Sequence, residues 1–445
     1  MSMRIEMKKA LSGAGLVALI AGSAVADLTT TDEQIASLEA QLREVKTQKA
    51  QEMRQGELNQ LVNKVAEDAS QRSFYSSGPA SLVYNGAGKG FTLSDDGGNN
   101  TLNIKMYTQF RYNMNFQNDF DGTPNVDGTT EGFEFRRNRI IMAGKLQGDF
   151  GYFIQTDFGT GGVLGLLDTY FTWSPEPDVT VIAGQLKAPF MWETLVSASK
   201  QLTVDRSTVE AIFGAGRTQG VAVAYTGIEN MKIVGAFSDG AGQANTDWNS
   251  DANEVAFTGR VDYVFAGEMD QFSDFTSNNS SDFGFRLGGA AHYQDGDVGD
   301  GATVTNGLKN SPNVFTWTVD AQAEWQGASL YAAIVGQHVE TEGGASTTID
   351  NYGYMAQGSF YMDDDTELFG RWEYIDLDGA TTDPNIFTFG ANYYVNGQAN
   401  KLTADLGFTT DQITAAVAND RGVLEVDNPG DDSQFFLRFQ WQLMF

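Results

Sequence analysis

The sequence of 445 residues contains no cysteine, which excludes a disulfide framework and any thiolate metal site. It has two histidines, His292 and His338, too few for a three-histidine zinc centre. Proline is scarce, eight residues against fifty glycines. Basic residues number 28 against 58 acidic ones, a net charge of −30. Binding a phosphate backbone needs a basic surface, so nucleic acid is excluded as a partner. Mean hydropathy is −0.30, and beyond the N-terminus no apolar run approaches the ~18 residues of a membrane helix. That absence excludes helical spans but not strands, which conceal a lipid-facing side by alternation.

Alternation is what the chain does have. Over 433–445, Phe435, Leu437, Phe439, Trp441, Leu443 and Phe445 share one face. Gln434, Arg438, Gln440 and Gln442 share the other, with Phe436 and Met444 breaking the pattern. Period two describes a strand with one apolar and one wet face. Left as an edge, such a strand invites aggregation. In lipid it can close a barrel by pairing with the first strand. Residues 101–116 repeat the pattern, with Leu102, Ile104, Met106 and Phe110 opposite Asn103, Lys105, Gln109 and Arg111. Further strands are predicted near 133–147, 151–159, 165–174, 178–187, 217–226, 229–239, 252–264 and 283–294. Seven more follow near 314–326, 328–339, 350–361, 366–376, 385–396, 400–410 and 433–445, sixteen in all. Connections alternate between short ones and long ones, the longest being 188–216; only 265–282 breaks the rule on the short side. An even strand count with short inner turns and long outer loops is an outer-membrane pattern. The expected fold is all-β: a sixteen-stranded antiparallel transmembrane β-barrel with an N-terminal α-helical coiled-coil segment.

The remaining segments precede the barrel at 101–445. Residues 1–26 read as a cleaved signal peptide: Arg4, Lys8 and Lys9, then the apolar stretch 10–22, then Ala24-Val25-Ala26. Residues 27–72 read as a periplasmic helix. Ile35, Leu38, Leu42 and Val45, and later Leu58, Leu61 and Val65, have the spacing of an a/d seam. A lone helix of this polarity is marginal, so a coil between three subunits is expected. Residues 73–100 read as a flexible linker. Its Gly88-Lys89-Gly90 lacks the hydroxyl residue and the upstream glycine of a phosphate-binding loop.

A lipid-facing Arg at the bilayer midplane costs roughly 2–4 kcal/mol. Lys105, Arg111 and Arg438 must therefore point inward, as must Lys232, Arg260, Arg286 and Lys401. Glu254, Asp320, Glu324, Glu373 and Asp405 go the same way. A lumen with both signs of charge is expected to be water-filled rather than packed. Arg136, Arg137 and Arg139 cannot all share one face; two should face the pore while the third sits near the rim or salt-bridges. Early strands supply Lys105, Arg111, the three arginines, Lys145 and Lys187, while later strands supply carboxylates. One positive wall and one negative wall would set up a transverse field that filters solutes by charge.

Three segments resemble the phosphate-selective porin O/P family. They are Gly132-Phe133-Glu134-Phe135-Arg136-Arg137-Asn138-Arg139, then Gly184-Gln185-Leu186-Lys187-Ala188-Pro189-Phe190 with Glu193, and Asp205-Arg206-Ser207. The resemblance implies a homotrimeric porin in the outer membrane of a Gram-negative bacterium, with loop 188–216 folded into the pore. It would place Arg136 or Arg137, Lys187 and Arg206 at the constriction. The expected pore-lining set is Lys105, Arg111, Arg136, Arg137, Arg139, Lys187, Glu193, Asp205, Arg206 and Arg438. The loop departs from a strongly basic eyelet, since Lys200 and Arg206 stand against Glu193, Asp205 and Glu210. The expectation is therefore passive diffusion of small hydrophilic solutes with a weak preference for anions, in contact with outer-membrane lipid and lipopolysaccharide.

Alternatives are a barrel that anchors a coiled-coil tether toward the cell wall, and a non-selective or cation-preferring porin. An outer-membrane hydrolase would need a Ser–His pair on the lipid side, and neither histidine has a nucleophile motif. No cofactor is expected, with calcium at the acidic loop residues Asp295, Asp297, Asp300, Asp431 and Asp432 as the one candidate.

Overall fold

The computed structural model describes residues 80–117, 128–159, 162–247, 255–296, 313–341, 347–419, 421, 423–427 and 433–445, with Lys46 and Lys49 besides. The chain divides into two compact units, Met1–Ser76 and Ser77–Phe445. Of the first only Lys46 and Lys49 are described, both helical, so the expected signal peptide and almost all of the expected coil lie outside the described residues.

In the second unit β1 (Ser81–Tyr84) and β2 (Phe91–Ser94) precede the barrel. The wall then runs β3 (Thr101–Gln117), β4 (Gly128–Leu146), β5 (Phe150–Asp157), β6 (Gly165–Glu176), β7 (Val179–Lys187), β8 (Arg217–Ile228), β9 (Met231–Ser238) and β10 (Val255–Ala266). It continues β11 (Gly284–Asp295), β12 (Asn313–Trp325), β13 (Ala328–Thr341), β14 (Thr347–Tyr361), β15 (Thr366–Asp376), β16 (Asn385–Asn396), β17 (Asn400–Thr409) and β18 (Gln434–Met444). Each strand from β3 onward pairs antiparallel with the next, and β18 pairs with β3, with Phe439 opposite Tyr112. Sixteen strands thus close on themselves, so the backbone groups of the wall pair within the sheet rather than with water.

The faces are inverted relative to a water-soluble sheet. On β18, Arg438, Gln440 and Gln442 are buried while Phe435, Phe439, Trp441 and Leu443 are exposed, Trp441 at 50%. On β12, Thr316, Thr318, Asp320, Gln322 and Glu324 are buried while Phe315, Trp317 and Val319 are exposed. No second layer covers the aromatic rows among the described residues.

We call proximal the end where β3 begins and β18 stops. Proximal connections such as 177–178, 229–230 and 326–327 are tight, and 267–283 is the long exception. The distal connections are longer, and 188–216 folds into the lumen with α1 (Trp192–Leu195) and α2 (Thr208–Phe213). Its Phe190, Met191, Leu202, Val209 and Phe213 join a buried cluster that includes Phe272, Phe275, Ile413, Val417 and the inward-facing Tyr331 and Ile375. Part of the lumen is therefore packed, against the expectation of a wholly water-filled interior.

The stretch read as a flexible linker also contains structure. The hairpin β1–β2 pairs Leu93 with Leu102 of β3, on the edge that β18 leaves below Tyr107. Gly90 allows the turn: its φ is +70°, and a Cβ there would collide with the Ile104 carbonyl. The hairpin packs Phe91 against the terminal Phe445, rings 6.2 Å apart.

The inverted faces give a paired test. Phe439→Arg should lower the unfolding free energy of the barrel in phospholipid vesicles by about 2–4 kcal/mol, whereas Phe439→Leu should change it little. Equal stability of the two variants in a denaturant titration would contradict lipid contact at this face.

Candidate functional site

The arginine segment of β4 faces the lumen in full. Arg137 lies opposite Gln109 and Phe135 opposite Phe110, so Arg136 is the extra residue of a β-bulge. A bulge sets two consecutive residues on one side of the sheet. Arg136, Arg137 and Arg139 therefore all point inward, which corrects the expectation that one must turn away. Asp205 of the 188–216 connection meets this row. It accepts from Arg136 Nε at 2.7 Å, Arg137 Nη2 at 2.6 Å and Arg111 Nη1 at 3.3 Å. Burial works against the Asp205 carboxylate, but Arg137, Arg136 and Arg111 outweigh it and hold its carboxyl well below the usual range. Arg111 is shared with Glu134 at 2.5 Å, and Arg139 pairs with Asp157 at 2.7 Å.

Two other expected constriction cations grip the connection itself. Lys187 donates to the Thr194 carbonyl at 2.6 Å. Arg206 donates to the carbonyls of Glu193 at 2.9 Å and Val196 at 2.7 Å. Together they satisfy the C-terminal end of α1. Glu193 accepts from Ser207 N at 2.8 Å and Ser207 Oγ at 2.5 Å. Ser207 in turn caps α2 by accepting from Glu210 N at 2.9 Å, and Glu210 pairs with Arg421. All three carboxylates of the connection are thus engaged, so its formal charge of −1 is not what it shows to water. Arg438 binds Asp405 through two parallel bonds of 2.7 Å, and the same Asp405 accepts from Val204 N.

The later strands act as a seat for the connection. Glu373 accepts from Thr208 N and Val209 N at the start of α2, Lys401 donates to Gln201 O, and Asn392 donates to Leu202 O. On β10–β12, Arg260, Asp262, Arg286 and Asp320 form a buried ring of four charges with contacts of 2.6–2.9 Å. Gly288 leaves room for it, since a Cβ there would strike Arg260, Asp262 and Arg286. Trp192 covers the ring, its centroid 3.8 Å from the Arg286 guanidinium, a cation–π contact. Arg260 also donates to Phe190 O at 2.6 Å. The expected negative wall is thus largely salt-bridged and overlaid.

One space that stays open lies on the other side of the connection. A cavity of about 500 Å³ runs between it and β3–β8, lined by Lys105, Arg139, Lys187, Lys200, Arg217 and the single carboxylate Asp168. The structure thus brings Lys105, Arg139 and Lys187 of the expected set to one space. Arg111, Arg137 and Asp205 lie beside it as a buried clasp, and Arg206, Glu193 and Arg438 are structural ties elsewhere in the lumen. Lys200 and Arg217 were not in the expected set. Arg217 could have been found, because it stands opposite Lys187 at the mouth of the same connection. Among the described residues no group of His, Asp and Glu could hold a metal. Asp297, Asp300, Asp431, Asp432 and Glu254 lie outside them.

Residues 110–443 match the family described as Phosphate-selective porin O and P. No match was found among curated proteins. The fold is similar to that of an anion-selective porin from Comamonas acidovorans, at 13% identity, covering 78% of this chain and 100% of that chain with a TM-score of 0.55. It is similar also to OprB of Pseudomonas putida at 8% identity, 77% and 94% coverage and a TM-score of 0.53. OmpT of Vibrio cholerae aligns at 14% identity, 78% and 98% coverage and a TM-score of 0.50. At these identities the likeness is one of fold.

The clasp on Asp205 can be broken at one atom pair. Asp205→Ala leaves three guanidiniums without their shared partner and should cost about 3–5 kcal/mol. Limited proteolysis should then cut within 188–216, where the parent protein resists. Unchanged protection would show that the clasp does not hold the connection.

Proposed function

We propose, from the premise that the chain belongs to the phosphate-selective porin O and P family, that it lets small hydrophilic solutes diffuse passively across the outer membrane with a weak preference for anions, small carboxylates among them. The family and the barrel support an outer-membrane channel rather than an enzyme. The preference rests on one observation: with Arg139 paired to Asp157 and Arg217 to Asp168, the cavity beside the inward connection still has Lys105, Lys187 and Lys200 on its wall. A passage lined by one sign of charge concentrates the opposite sign within it. The connection's own Glu193, Asp205 and Glu210 do not offset this, because each is already paired.

A cation-preferring general porin is the second reading. It is favoured by a proximal compartment lined by Asp270, Asp274, Glu324, Asp364 and Asp365. Assembly as a homotrimer draws support from the wall. β5 and β9 have eight residues each, short of the ~9–11 that cross a bilayer, and each of these two low points, on either side of the taller β6–β8, suits contact with a neighbouring copy. Outer-membrane lipid and lipopolysaccharide would cover the remaining apolar belt. Removal of residues 1–26 as a signal peptide and a periplasmic coil over 27–72 complete the reading, with the proximal end toward the periplasm of a Gram-negative cell. Cell-wall contact through that coil would be an accessory tether.

Planar-bilayer recording tests it. The purified protein should give stepwise conductance increments, and its zero-current potential across a KCl gradient should have the sign of anion preference. Lys105→Ala combined with Lys200→Ala should lower the anion/cation permeability ratio by about threefold. Absence of channels would leave only the anchor role, and cation preference in the parent protein would favour the second reading.

A further inference from the structure

The long proximal connection 267–283 does not hang clear of the barrel; it turns back into it. Phe272 and Phe275 are fully buried, and the Phe275 ring lies 4.8 Å from that of Tyr331. Gln322 Nε2 donates to Asp274 O at 2.6 Å and Ser329 Oγ to Phe275 O at 2.5 Å. Gln322, Ser329 and Tyr331 all belong to the inward face of β12 and β13, so the turn occupies lumen. From the distal side, Lys200 reaches down and donates to Ser273 Oγ at 2.8 Å. Two connections that enter from opposite ends therefore meet inside the wall.

Their meeting separates spaces of opposite charge. On one side of the turn, a cavity of about 410 Å³ is lined by Lys187, Lys200, Lys232 and Arg260 against Asp262. It shares Lys187 and Lys200 with the larger basic cavity along β3–β8. On the other side, about 670 Å³ is lined by Asp270, Asp274, Glu324, Asp364 and Asp365, with no basic residue. Ser273 borders both. We propose that the turn 267–283 is a septum: it walls off the acidic compartment and routes permeating ions along the basic side, so charge selectivity is set jointly by this turn and by 188–216. Carboxylates sharing one aqueous space with the lysines would act across the ~8 Å over which physiological salt screens charge. A protein wall in low dielectric keeps the two populations apart. The inference rests on the channel reading above and extends it to a second element.

Two variants test it in planar bilayers. Replacing residues 268–282 by a short Gly-Ser link should raise single-channel conductance about twofold and move the anion/cation ratio toward unity, as Glu324, Asp364 and Asp365 join the route. The second variant keeps the turn. Ser273→Cys introduces the sole thiol of a chain without cysteine. Attachment of a sulfonate through a methanethiosulfonate reagent should lower both conductance and anion preference. If the shortened protein and the fully labelled Ser273→Cys protein both conduct like the parent, the septum is overturned while the channel reading stands. If the parent itself gives no channel, that reading fails and the septum with it.

Discussion

Hydrocarbon solvates neither a backbone amide nor a guanidinium, and the architecture follows from that. The chain meets the first demand by closing its sheet: β18 lies against β3, and no strand of the wall is left as an edge. It meets the second by alternation. The charged residues of β12, β17 and β18, namely Asp320, Glu324, Lys401, Asp405 and Arg438, are all buried on the inward side. Once turned inward, each charge needs water or a counter-charge. The lumen is organised by which of the two it receives.

The 188–216 connection decides this. Its backbone takes hydrogen bonds from Arg260, Lys401 and Asn392 and gives them to Glu373 and Asp405. Side chains of the later strands thereby serve a peptide segment that would otherwise lie buried without partners. Ion pairs as enclosed as the Arg260–Asp262–Arg286–Asp320 ring add little net stability, because desolvation offsets their attraction. Their role is placement, since the ring holds Phe190 O through Arg260 and lies under Trp192, whose Nε1 also donates to Gln322 Oε1. With much of the later wall covered, the cavity along the early wall keeps Lys105, Lys187 and Lys200 beside the paired Arg139 and Arg217.

The barrel was readable in the sequence because alternation is a local signal. The sixteen strands fall within a few residues of their predicted spans, most closely at 217–226, 366–376, 385–396 and 400–410. The exception at 265–282 was visible as excess length, but its direction was not, since Phe275 finds Tyr331 only after the barrel has closed. The bulge at Arg136 was hidden for a similar reason: a bulge is defined by the partner strand, and β4 alone shows three arginines in four positions. Counting charges in 188–216 gave a net −1 and misjudged what the loop displays. Asp205 meets Arg111 and Arg137, 94 and 68 positions earlier in the chain, and such pairings leave no trace in a local window. The hairpin at 81–94 was missed because four-residue strands in a glycine-rich stretch have too short a pattern to register.

The central claim is that adjacent residues of one strand see oil and water. The lack of native cysteine permits single spin labels at Lys105, which lines the basic cavity, and at its neighbour Met106, on the opposite face of β3. In phospholipid vesicles, paramagnetic relaxation by oxygen should dominate at position 106, and relaxation by a water-soluble nickel chelate at position 105. Access of the nickel chelate to both labels, or of neither agent to either, would contradict a lipid-facing wall around an aqueous lumen.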